Sequence, residues 1–111
     1  MKDTKYNGWT NYETWLVNLW IDNEQGSDEF WRSTAGEYYE NAEATAYSTK
    51  SESARYDLAE YMKDHFEEWS PLDPNAASIY HDLLCAALSS VNWHETAERW
   101  INSAIESLEV A

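Results

Sequence analysis

An all-α domain of about five helices is the expectation for this 111-residue chain, and three observations carry it. Apolar residues recur at the three- and four-residue spacing of a helical face in five separate stretches. Only three Gly and two Pro occur, too few for a turn-rich β protein. No stretch alternates apolar and polar residues as a half-buried strand does. The length fits one domain, and seven Trp and eight Tyr supply its core, since a buried ring removes about 150–250 Å² from water.

The first helix is expected over residues 12–23, with Asn11 as N-cap and Tyr12, Trp15, Leu16, Leu19 and Trp20 on one face. Core packing is the expectation for Trp15 and Trp20. Gly26 and Ser27 read as a stop followed by a fresh cap, so a second helix is expected over 28–47. Its apolar side is Trp31, Ala35, Tyr38, Tyr39 and Ala42, and Asp28 and Glu29 sit in the first turn, where the helix dipole favours acids. Gly36 costs about 1 kcal/mol relative to Ala inside a helix, so a close contact or a kink is expected there.

A small, polar connector precedes a third helix, expected over 52–69, where Leu58, Tyr61, Met62, His65 and Trp69 share one side. Pro71 and Pro74 break it, because each removes a backbone donor and pushes its predecessor out of the α region. Asp73 or Asn75 then caps a fourth helix over 75–89. Its stripe of Ile79, Tyr80, Leu83, Leu84, Ala87 and Leu88 is the least charged in the chain, which predicts the central buried helix. Asn92 and Glu95 have capping-box spacing and open a fifth helix over 93–109, with Trp93, Ala97, Trp100, Ile101, Ala104, Ile105 and Leu108 inward.

Charge bounds the partner class. Twenty-one acids against seven Lys and Arg give a formal charge of -14, which repels nucleic acid and anionic membrane and attracts basic surfaces. Thirteen of the acids and only four bases lie between Asp22 and Glu68. On the second helix Glu29, Glu37, Glu40 and Glu43 fall opposite the apolar side; on the third, Asp57, Glu60, Asp64, Glu67 and Glu68 do. Like charges a turn apart repel by a few tenths of a kcal/mol, so a chain shaped by stability alone would intersperse Lys. One reading is a ridge of phosphate surrogates; the other is a solvated face that keeps the protein soluble.

Other constellations point away from chemistry. His81 and Cys85 are spaced i, i+4, as two zinc ligands on a helix can be, but no second paired motif supplies further ligands, so no metal is assigned and Cys85 reads as a small hydrophobe. His94-Glu95-Thr96-Ala97-Glu98 lacks the second His of a zinc-protease helix. No Gly-rich phosphate loop or nucleophile elbow occurs, and the expectation is a non-enzyme without a cofactor. The single cysteine, the absence of an apolar leader after Met1 and the absence of a membrane-length run suggest a soluble protein of the cytoplasm. Trp9 lies just before the first cap and reads as a staple or as an exposed anchor, with Trp31 the other anchor candidate.

The segment Asn7-Gly8-Trp9-Thr10-Asn11-Tyr12-Glu13-Thr14-Trp15, continuing through Leu19-Trp20-Ile21-Asp22-Asn23, and the later Val91-Asn92-Trp93-His94-Glu95 with Ala97-Glu98, resemble a group of small acidic proteins of phage, plasmid and related bacterial genomes. The group has no assigned activity, so the resemblance implies genetic context alone: mobile elements encode small acidic proteins that block host defence nucleases, some by mimicking DNA.

The leading expectation is therefore an inhibitor of a CRISPR or restriction complex. Glu37, Glu40, Glu43, Asp57, Glu60, Asp64, Glu67 and Glu68 would meet the Arg and Lys of a host nucleic-acid-binding protein. The rival is an interaction module or homodimer that uses exposed aromatics instead.

Overall fold

The computed structural model describes residues 6–72 and 78–110. It is all-α, with five helices in the order α1 (Tyr12–Asn23), α2 (Gln25–Asn41), α3 (Lys50–Glu68), α4 (Ile79–Ser90) and α5 (Trp93–Val110). The junctions before α2, α3 and α4 differ from expectation, the last because α4 starts at Ile79 after an extended Ser78 rather than at 75. Chain direction changes at a single extended residue, Glu24, and α2 starts at once, taking Gly26 into its first turn. At its other end α2 stops at Asn41 rather than running to 47. Thr45 Oγ1 accepts the N–H groups of Tyr47 and Ser48 at 3.1 and 3.0 Å, offering this segment a non-helical solution.

Thr49 then starts α3 two residues earlier than expected, through a reciprocal capping box. The Glu52 amide donates to Thr49 Oγ1 at 3.1 Å and the Thr49 amide to Glu52 Oε1 at 3.0 Å. The Thr49-x-x-Glu52 signature was present in the sequence. Hydrogen bonds to the carboxyl from the Thr49 amide first, and from the Thr49 side chain second, hold Glu52 below its usual range. Ser78 caps α4, its Oγ accepting the His81 amide at 3.0 Å. The caps expected at Asp73 or Asn75 lie outside the described residues.

The core is built by α2, α3 and α5. Trp31, Leu58, Met62, Trp100 and Ile101 are buried, and Ala35, Ala54, Ala59 and Ala97 let the three helices approach closely. Phe66 lies between Trp31 and Trp93, stacked on each at 5.9 and 5.5 Å. On α5 the buried apolar residues Trp93, Ala97, Trp100 and Ile101 follow i, i+4, i+7, i+8, whereas Leu108 in the last turn is exposed.

The expectation of a central α4 is corrected. None of its residues is buried, and Ile79, Tyr80 and Leu83 are 67%, 71% and 60% exposed. A helix that is apolar over most of its circumference can rest one side on α1 and α3 and still present another outward. Low charge alone does not identify the centre; the one-sided stripe of α5 does.

The buried face of α1 is corrected too. Thr14, Asn18 and Ile21 face inward, Trp15, Leu16 and Leu19 are half-buried, and Trp20 is 68% exposed. Polar groups are tolerated inside because they are paired. Asn18 Nδ2 donates to the Thr14 carbonyl at 2.8 Å and to Thr96 Oγ1 at 2.9 Å, while Arg99 donates to Asn18 Oδ1 at 3.1 Å and also pairs with Asp22. Asn92 caps α5 through Glu95 N at 3.1 Å, but the return half of that expected capping box is absent. The Asn92 amide donates instead to Thr14 Oγ1 at 2.8 Å, and Glu95 Oε1 accepts from Thr10 N at 2.9 Å.

Ahead of α1, Asn7 and Gly8 take φ of 46° and 89° and turn the chain so that Tyr6 and Trp9 exchange backbone hydrogen bonds at 2.7 and 2.8 Å. Positive φ at two successive residues is what an Asn-Gly turn supplies. Trp9 is half-buried at the close of this turn, and Tyr6 and Trp15 contact at 5.0 Å.

Candidate functional site

The eight acids singled out from sequence are all exposed. On α3 the cause is geometric: at about 100° per residue, Asp57, Glu60, Asp64, Glu67 and Glu68 fall within an arc of roughly 100°, opposite Leu58 and Met62. From Asp57 to Glu68 the helix rises about 16 Å, so five carboxylates average about 4 Å of axis per charge, against about 3.4 Å along one DNA strand. The two ion pairs among the described residues, Arg32–Asp28 and Arg99–Asp22, involve none of the eight acids. Lys50 lies over the Tyr39 ring at 4.9 Å.

The α2 acids join the arc unevenly. Glu37 and Asp57 line one hollow of about 210 Å³ with Tyr38, whose hydroxyl is pushed to higher pKa by burial, by Tyr61 and by Asp57. Glu40 is exposed about 60° around the α2 axis from Glu37 and lines no described cavity with α3. Glu43 lies beyond the helix end rather than on it. It lines a cleft of about 790 Å³ together with Glu52, Asp57 and Glu98. Sequence reasoning missed Glu52 and Glu98 as members of this acidic surroundings, because their approach depends on how α5 and the 42–49 segment pack. Arg55 and His94 also line that cleft, and Arg55 Nε is buried without a hydrogen-bond partner.

At the far end of α3 the aromatic side turns toward the surface. His65 packs against Phe30, Trp31, Phe66 and Trp69, with ring centroids 5.6, 5.0, 5.4 and 5.6 Å away. Burial holds its pKa below the ordinary value, with Glu68 opposing. Trp69, expected on the inner side, is 75% exposed at the helix C-cap. Trp31 is 2% exposed and is therefore part of the core, not an anchor for a partner.

On α4, Cys85 Sγ and His81 Nε2 are 3.6 Å apart with Cys85 exposed. No group of three or more metal-ligating side chains forms among the described residues. None of the described helices is long and apolar enough to cross a membrane.

The chain belongs to DUF7249, a family of unknown function whose model matches residues 2–110. No curated protein and no solved structure matches it.

Proposed function

We propose that this member of DUF7249 is a non-enzymatic binding protein whose acidic face on α2 and α3 occupies the cationic nucleic-acid channel of a host defence complex, CRISPR or restriction, in place of DNA. The observation that supports it most directly is the α3 arc: five exposed carboxylates at near-phosphate density with no ion pair among the described residues. Such a surface favours Arg and Lys partners through charge-assisted bonds. It also steers association over distances of a Debye length, about 10 Å at 0.1 M salt. The resemblance to small acidic proteins of mobile elements adds the setting.

The test is displacement of labelled DNA from a purified defence complex at increasing salt. Displacement at low salt that weakens steeply as salt rises supports the reading. So does its loss when Glu40, Glu43, Asp64 and Glu67 are all changed to Lys with the helical signal intact. Retained displacement in that variant contradicts it. A second reading, an interaction module that works through aromatics, is favoured by the exposure of Trp20 and Trp69. Its binding would persist at high salt.

A further inference from the structure

An apolar groove of about 340 Å³ runs between α1 and α4 on a part of the surface lined by none of the eight acids above. Leu16 and Trp20 form one wall and Leu84 and Leu88 the other. Beside it, Ile79, Tyr80 and Leu83 continue the apolar surface outward along α4. Monomeric proteins rarely leave a contiguous apolar surface of this kind uncovered, and such patches mark interaction sites. Among the described residues its rim carries two carboxylates, Glu13 and Glu24, and no Lys or Arg lines it.

We propose that this groove binds an amphipathic, cationic helix of a partner protein, with an apolar stripe seated between α1 and α4 and Lys or Arg side chains reaching Glu13 and Glu24. Three observations select that occupant. Two adjacent helical walls accept a third helix by helix-in-groove packing, and α4, about 18 Å long, matches roughly three turns of it. An extended peptide has no sheet edge to join, since the sole backbone bridge among the described residues is Tyr6–Trp9. A second copy is disfavoured by charge. Each chain carries -14, and α4 itself offers Asp82 and no Lys or Arg, so a twofold contact would set rim carboxylates against like charges.

This site is independent of the acidic face, and its test separates the two. The probe is a fluorescein-labelled Leu/Lys peptide of about four helical turns with Leu at i, i+3, i+4 and i+7, compared with a scrambled peptide of identical composition. The amphipathic peptide is expected to bind at least about tenfold more tightly than its scrambled isomer, shifting the methyl resonances of Leu16, Leu84 and Leu88. That preference should vanish in Trp20→Ala, a substitution at an exposed position that leaves the fold intact. Glu13→Gln/Glu24→Gln should weaken binding by a further measure of about tenfold at low salt. Equal binding of both peptides, or shifts confined to α3, overturns the proposal. So does a micromolar homodimer that Trp20→Ala dissociates, because the occupant is then a second copy.

Discussion

Gly36 shows how a single position is decided by its surroundings. A Cβ built there meets nothing within 4 Å, and α2 remains helical through it, so no close contact accounts for the glycine. Gly36→Ala is therefore expected to stabilise the protein by about 1 kcal/mol, through lower backbone entropy in the unfolded chain, measured as a higher midpoint in urea. His65 is decided by burial. Its folded-state pKa is depressed, so the unfolded chain binds more protons in the window just below the ordinary histidine value of about 6.5. The stability tied to neutral His65 is complete above that pH and falls as pH drops through the lower, folded value. Urea titrations at pH 7.5 and 5.5 should show a loss in the native protein that His65→Phe reduces.

At the scale of elements, the α1–α5 junction is the joint on which the fold turns. The Asn11–Asp22 stretch and the Asn92–Arg99 stretch, nearly eighty residues apart, are tied by Thr14, Asn18, Asn92, Thr96 and Arg99. The polar residues of both stretches therefore have a structural use. Asn18→Leu strands the Thr96 hydroxyl and one arm of Arg99, and should destabilise by about 1–3 kcal/mol, read from thermal or urea unfolding. Five helices were legible because each leaves its own local period. The inward face of α1 was not, since periodicity reports where apolar residues lie, and Thr14 and Asn18 are buried by partners distant in sequence. For the same reason α4, the most uniformly apolar stretch, was placed at the centre and belongs at the edge. Outward acids on α3 were legible from helical spacing alone. The convergence of Glu43, Asp57 and Glu98 on one cleft was not, because it depends on packing after α2 ends.

Over the whole molecule, carboxylates crowd the outer faces of α2 and α3, while α4 carries three exposed large hydrophobic residues, Ile79, Tyr80 and Leu83, and a single acid, Asp82. A net charge of -14 acts against compaction by self-repulsion, and the buried α2–α3–α5 core offsets it. The five outward α3 acids take part in neither of the two ion pairs among the described residues, and on the proposed reading they present a phosphate-like surface. The measurement that tests this most directly is the salt dependence of DNA displacement from a defence complex by the native protein and by Asp64→Lys/Glu67→Lys. The account predicts affinity that falls steeply with salt and a variant that displaces at least about tenfold less DNA at low salt. A salt-independent effect, unchanged in the variant, would contradict it.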